Sequence, residues 1–202
     1  MSFYDFCSGC GLCHDIYDID FCKDSKGFYY PDFEGKEAEK ASMVSVCPFG
    51  KNGVRKYNGS VWGDYHGVFQ GWSTDEELRT KASSGGVVSA LAAYLLAHSL
   101  VDGVIQVKAS EHEQYSTDVV CSRCVEDIYS CSGSRYCQSS PLYNLSAFLR
   151  EGERYCFIGK PCDVAAIRNY MDSDEKLRKK DSVFNLFLLC WNPKRRCKQE
   201  IA

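Results

Sequence analysis

The stretch that most constrains this chain is CSGCGLC, which sets Cys7, Cys10 and Cys13 at Cys-x2-Cys-x2-Cys spacing, with Cys47-Pro48 far downstream. A 4Fe-4S cluster needs four thiolates at the corners of a compact cage, and this spacing lets a single turn present three of them. Gly9 and Gly11 stand between these cysteines, where the missing side chain lets the backbone curl tightly and turn N–H groups toward sulfur. The chemistry implied is electron transfer. A zinc knuckle is the competing reading, but zinc sites more often pair two Cys-x2-Cys hooks than add a third thiolate in the same turn. The fourth ligand has two candidates. Cys22 is nearer, whereas Cys47 has the proline that follows the last cysteine in ferredoxin-style runs, which favours Cys47.

Thirteen cysteines in 202 residues is a high and odd count, which argues against a complete set of intramolecular disulfides and for metal or redox use. The start, MSFYDFCSG, lacks the basic residues and apolar stretch of a secretory signal, so a cytoplasmic location with reduced thiols is expected. The longest nearly apolar run, Val87 to Ala97, is about half the roughly 20 residues that a membrane-spanning helix requires. Formal net charge is −3, and the one dense basic run, Lys194 to Lys198, is terminal, so nucleic acid is not an expected partner.

Residues 1–57 are polar and aromatic, with turn signals at Asp24-Ser25-Lys26-Gly27 and Glu34-Gly35, and with a short helix expected over Glu37 to Val46 that delivers Cys47 before Pro48 ends it. Such a segment has little core, and a cluster supplies the cross-link that hydrophobic burial does not. Asn52 to Ser60 reads as a linker. From Val61 the pattern changes. Gly67 to Trp72 reads as a strand, Asp75 to Lys81 as a charged turn or helix, and Val87 to His98 as a buried helix started by Ser83-Ser-Gly-Gly86. Strands are expected at Val101 to Val107, Thr117 to Cys121, Arg154 to Ile158 and Val183 to Leu189, and a helix at Cys162 to Tyr170. The fold class is therefore α+β or α/β: a small ferredoxin-like iron–sulfur module over 1–57, then a mixed α/β unit over 61–202.

The Ser83 to Gly86 turn offers unpaired N–H groups and positive dipole density to an anion, which a flavin pyrophosphate would fit; a serine with two glycines is also an ordinary helix cap. The chain has no Gly-x-Gly-x-x-Gly fingerprint and no P-loop, which argues against a conventional Rossmann site. Cys121, Cys124, Cys131 and Cys137 read as incidental thiols, because a strand through Val119 to Cys121 turns neighbouring side chains to opposite faces. Cys162 differs: in Gly159-Lys-Pro-Cys162 it stands at a strand-to-helix junction, where helix-terminal N–H groups favour thiolate. His14, His66, His98 and His112 are scattered, and no serine, histidine and acid set forms a hydrolytic triad.

Taken together, these segments resemble the coenzyme F420 hydrogenase/dehydrogenase beta-subunit family over nearly the whole chain. CSGCGLC, Gly27-Phe-Tyr-Tyr-Pro31, Val46-Cys-Pro48, Gly71-Trp-Ser-Thr-Asp-Glu76, Ala82-Ser-Ser-Gly-Gly-Val-Val88, Val101-Asp-Gly-Val-Ile105, Gly133-Ser-Arg-Tyr136 and Gly159-Lys-Pro-Cys-Asp163 follow in the family's order. The resemblance implies an iron–sulfur flavoprotein oxidoreductase subunit, with residues 61–202 as part of its flavin-binding domain. It places FAD at Ser84, Gly85, Gly86 and Ser89, with Gly133, Ser134, Arg135 and Tyr136 close by. It makes Cys7, Cys10, Cys13 and Cys47 the ligands of one 4Fe-4S cluster, and Cys162 and Cys190 the first two ligands of a second. The implied partners are a redox protein or subunit in a hetero-oligomer and a hydride-type acceptor such as coenzyme F420. Past Leu188-Leu-Cys190 the chain departs from the family, running Trp191 to Ala202 where a Gly-Pro-like turn and a further half-domain would follow. That departure reads as truncation, and it opens the alternative of a catalytically inactive cluster-binding or interaction protein. No catalytic acid–base residues stand out in the sequence.

Overall fold

The computed structural model describes residues 7–25, 27–50 and 69–173, and the backbone of 183–187. The chain opens with a short helix, α1 (Leu12–Tyr17), then a hairpin of β1 (Phe21–Lys23) and β2 (Tyr29–Pro31). Asp24 closes the hairpin turn: its carboxylate accepts the Phe28 N–H at 2.9 Å and its carbonyl accepts the Gly27 N–H at 2.9 Å. Helix α2 (Glu37–Val46) follows and ends at Cys47, which is extended and is the last residue to donate back into the helix, to the Met43 carbonyl. Pro48 disfavours the helical region for the residue before it, so Cys47 is delivered at the end of α2 as expected.

Helix α3 (Glu76–Lys81) is capped by Asp75, whose carboxylate accepts the Leu78 N–H at 2.8 Å. A 3-10 turn at Ser84–Gly86 then leads into α4 (Val87–Ala97). Next come β3 (Gly103–Ala109), β4 (Thr117–Ser122), α5 (Val125–Ser130), a second 3-10 turn (Leu145–Ala147), β5 (Tyr155–Gly159), α6 (Pro161–Ser173) and β6 (Val183–Phe187). The larger sheet has the order β4-β3-β5-β6, with β3 antiparallel to β4 and parallel to β5, and β5 parallel to β6. The architecture is a mixed α/β arrangement, as the order of elements predicts.

Alternation along the two inner strands sorts the core into two layers. Val104 and Cys156 face α4 and α5, where they pack with Ala92, Val101 and Ile128. Ile105, Tyr155 and Phe157 face the other side and pack with Val164 and Ile167 of α6. Leu12, Ile19, Phe33, Met43 and Val46 join this second layer, so the cysteine-rich segment shares its core with the sheet.

Two expectations need correction. Residues 69–72 form no strand; Ser73 instead donates its N–H to the Gly85 carbonyl at 2.7 Å, and Phe69 and Trp72, whose aromatic character reads as strand, lie exposed. Helix α4 is apolar all round but packs on the sheet by one side, leaving Leu91 and Tyr94 exposed. The linker at 52–60 lies outside the described residues.

Candidate functional site

Cys7, Cys10, Cys13 and Cys47 line a single apolar pocket, whose wall also includes Phe21, Pro31, Met43 and Ala166. The loop between Cys7 and Cys13 can turn this tightly because Gly9 and Gly11 take φ of +69° and +94°. Space matters as much as conformation. A Cβ on Gly9 would stand 2.0 Å from Gln138 Nε2, and one on Gly11 would stand 2.6 Å from the Tyr143 nitrogen. The helix end carrying Cys47 is held from α6, where Asn169 Nδ2 donates to the Val46 carbonyl at 2.9 Å. The other candidate, Cys22, sits on the hairpin with its thiol 3.7 Å from Asp32 Oδ2 and lines no part of this pocket.

Desolvation dominates the chemistry of these thiols. Burial, with the neighbouring cysteines adding to it, pushes Cys13 up to about 12 and Cys47 up to about 11, and burial drives Cys10 well above its ordinary value. Backbone N–H groups work the other way: Gly9 reaches Cys7 Sγ at 3.4 Å, Leu12 serves Cys10, His14 serves Cys13, and Phe49 and Gly50 serve Cys47. Among the described residues no group of three or more His, Cys, Asp or Glu side chains is drawn together as for one metal ion. A cubane asks for a wider set, since each thiolate binds a different corner. The gap itself holds only about 20 Å³, so the fit to a cluster rests on the thiol set and its N–H donors rather than on free volume.

A second, larger cleft of about 240 Å³ lies between the turn before α4, the loop after α5 and the β5–α6 junction. Ser83, Ser89 and Gly133 to Tyr136 line it; Ser84, Gly85 and Gly86 stand beside it in the turn, with successive φ of +53°, +67° and +75°. Ser134 Oγ donates to Ser83 Oγ at 2.6 Å, which joins the two walls. Arg135 folds back on its own loop, donating from Nη1 to the Ser134 carbonyl at 3.3 Å and from Nη2 to the Ser132 carbonyl at 3.2 Å. Its Nε is buried and has no hydrogen-bond partner. A buried N–H left unmet is expensive, and Arg135 would have to turn toward the cleft for a ligand there to satisfy it.

At the far wall, Lys160 Nζ lies 2.9 Å from Asp163 Oδ2 and 3.2 Å from Ser139 Oγ, and Asp163 is fully buried. Desolvation works against the Lys160 ammonium, but the Asp163 carboxylate outweighs it and holds the lysine above its ordinary value. Cys162, one residue away on the first turn of α6, has its thiol 3.9 Å from Asp163 Oδ1 and lines neither cavity. Cys190 lies outside the described residues. None of the described cysteines forms a disulfide. Cys131 and Cys137, read from sequence as incidental, both line the cleft. Lys160 and Gln138 also line the cleft, though nothing in the sequence singles them out. The lysine sits inside a motif that draws attention to its cysteine, and Gln138 finds its partners in Tyr29 and Ser8, 109 and 130 residues away, beyond any local signal.

Comparison with known proteins agrees with the family resemblance. Residues 68–146 match the family model described as coenzyme F420 hydrogenase/dehydrogenase, beta subunit N-term. The chain is 30% identical over 131 residues to the coenzyme F420 hydrogenase subunit beta of Methanococcus voltae, covering 64% of this chain and 46% of that protein. It is 33% identical over 98 residues to the F420-dependent formate dehydrogenase subunit beta of Methanocaldococcus jannaschii, covering 48% of this chain and 25% of that one. A chain of the F420-reducing [NiFe] hydrogenase complex from Methanosarcina barkeri superposes with a TM-score of 0.51 at 26% identity, covering 59% of this chain and 42% of that one. The chain thus spans less than half the length of these relatives. Among the described residues no helix is long and apolar enough to cross a membrane.

Proposed function

We propose that this chain, which resembles the beta subunits of coenzyme F420 hydrogenases and dehydrogenases, is the cluster-bearing part of an iron–sulfur flavoprotein oxidoreductase subunit. In this reading residues 1–57 form the iron–sulfur module, with Cys7, Cys10, Cys13 and Cys47 holding a 4Fe-4S cluster, and residues from 61 onward form part of a flavin domain that takes FAD in the cleft. The observation that carries the reading is the buried, unpartnered Nε of Arg135 in a cleft beside the cysteine pocket. Bound there, a flavin supplies the exchange between two-electron hydride chemistry and one-electron transfer.

The chain's own residues have separable tasks. Arg135, turned so that its Nε enters the cleft, donates to an anionic oxygen of the ligand, and the Ser83, Ser89 and Ser134 hydroxyls orient its polar groups. Lys160, paired with the buried Asp163, offers an N–H donor at the cleft wall, where added electron density would gather. Phe21, Pro31, Met43 and Ala166 exclude water from the cysteine pocket, and the backbone N–H groups at sulfur set the potential of what it holds. Ser84, Gly85 and Gly86 complete the turn beside the ligand, with Tyr136 exposed at the cleft's rim. Cys162 and Cys190 would begin a second cluster. The partners would be a redox subunit in a cytoplasmic hetero-oligomer and a hydride-type acceptor such as coenzyme F420.

A second reading rests on size. A cleft of about 240 Å³ falls below the roughly 300–1,000 Å³ usual for small-molecule sites, which favours a cluster-binding or interaction protein that holds no flavin by itself. Anaerobic reconstitution separates the two readings. The first expects four iron and four sulfide per chain, a dithionite-reducible EPR signal and retained FAD. Arg135→Gln should then weaken FAD binding about tenfold or more, the scale of a lost charged hydrogen bond. Cluster without FAD would support the second reading, and a colourless protein with stoichiometric zinc would sink both.

A further inference from the structure

The segment that leaves the cleft wall runs directly over the cysteine loop. Gln138 lines the cleft next to the Arg135 loop, yet its amide is bonded to the cysteine-rich segment. Nε2 donates to the Tyr29 carbonyl at 2.7 Å and to the Ser8 carbonyl at 3.2 Å, and Oε1 accepts the Tyr29 N–H at 2.5 Å. The side chain thereby satisfies both backbone groups of Tyr29, as a neighbouring strand would. Ser8 is the residue between Cys7 and Gly9, so the same amide also holds the loop that spaces Cys7 from Cys10. Leu142 continues the clamp by donating its N–H to the Cys10 carbonyl at 2.9 Å, and Tyr143 stacks on His14 with centroids 4.0 Å apart. The seam has no slack, since a single methyl on Gly9 would collide with the amide nitrogen.

We infer that Gln138 is a positioning residue that couples occupancy of the cleft to the geometry of the cysteine loop. The inference rests on the proposed assignment of flavin to the cleft and cluster to the cysteines. Ser8 itself lines the cleft, and a ligand that seats the Arg135 to Gln138 wall also fixes the amide, which holds the Ser8 carbonyl and with it the arc from Cys7 to Cys10. The same bonds act in reverse, so a loaded cysteine pocket presets the cleft wall. Coupling between two sites is reciprocal, with a size of typically 5–150-fold in affinity. A purely structural amide would instead change stability alone.

Titration of FAD by flavin fluorescence, into cluster-loaded and cluster-free full-length chain, tests this. The wild type should bind FAD with affinities that differ at least about fivefold between the two forms. In Gln138→Ala the two affinities should come within about twofold of each other, with FAD and iron still bound. A wild-type ratio that persists in Gln138→Ala overturns the inference. Should that variant fail to fold, hydrogen exchange on the wild type decides: FAD should slow exchange of the Tyr29 amide, which lies outside the cleft and reaches it through Gln138 Oε1. A Tyr29 amide indifferent to FAD overturns the coupling while FAD binding itself stands. A wild type that takes up neither iron and sulfide nor FAD is a different result, and it overturns the functional assignment along with the coupling.

Discussion

Tyr155 carries a hydroxyl into the core at the start of β5, with the residue only 1% exposed. It donates to Glu153 Oε2 at 2.5 Å and accepts from the Arg150 N–H at 3.0 Å and from Arg123 Nη2 at 3.4 Å. Arg123 and Glu153 stay paired at 2.8 Å without the hydroxyl, while the Arg150 N–H loses its acceptor, so Tyr155→Phe should lower unfolding stability by about 0.5–1.5 kcal/mol in a denaturant titration while leaving iron content unchanged. The cysteines give the complementary test. Cys47→Ser should abolish EPR-visible cluster, whereas Cys22→Ser should keep it, because Cys47 lines the pocket and Cys22 pairs with Asp32 on the hairpin. At this scale the sequence is informative where chemistry is local. The Cys-Pro pair favours Cys47 before any fold is known. Neither the reach of Arg123 to the Tyr155 hydroxyl, 32 residues away, nor the orphaned Nε of Arg135 leaves such a mark, since both depend on packing that no short stretch encodes.

Among the elements, α3 shows how a cap can join two helices. Asp75 accepts the Leu78 N–H at 2.8 Å from its own helix and the Tyr129 hydroxyl at 2.7 Å from α5. The Leu78 N–H first, and the Tyr129 hydroxyl second, hold its carboxyl below the ordinary 3.8. A depressed folded value means that the charged form is the one the fold favours. The contribution is therefore present above the unfolded value near 3.8 and is lost as pH falls through the folded value. The stability gap between wild type and Asp75→Asn should accordingly shrink as pH is lowered below about 4, followed by acid titration of helical circular dichroism. The pattern of elements was largely legible: short apolar runs mark β3 and β5, and Glu37 to Val46 ends where Pro48 requires. Residues 69–72 mislead because aromatic side chains signal strand only where a sheet receives them, and here they stay in solvent.

For the molecule as a whole, the shared core carries the main consequence. Leu12 is fully buried, adjoins Cys13 and belongs to the layer that includes Ile105, Phe157 and Ile167. Leu12→Ala should cost about 2–5 kcal/mol and should do so in a single unfolding transition, monitored both by cluster absorbance and by circular dichroism. Separate transitions for cluster and helix signals would mean that the cysteine-rich segment unfolds on its own. The sequence by itself determined the spacing of three cysteines in one turn, the end of α2 at Cys47 and the apolar runs that become the inner strands. Each of these is set by sterics and hydrogen bonding within a few residues. Only the tertiary structure decided that Cys47 meets Cys7, that Ser134 meets Ser83 and that Gln138 clasps Tyr29. Those meetings follow from which faces the sheet buries and how closely glycine lets two loops approach, and neither property is written in any short stretch of the chain.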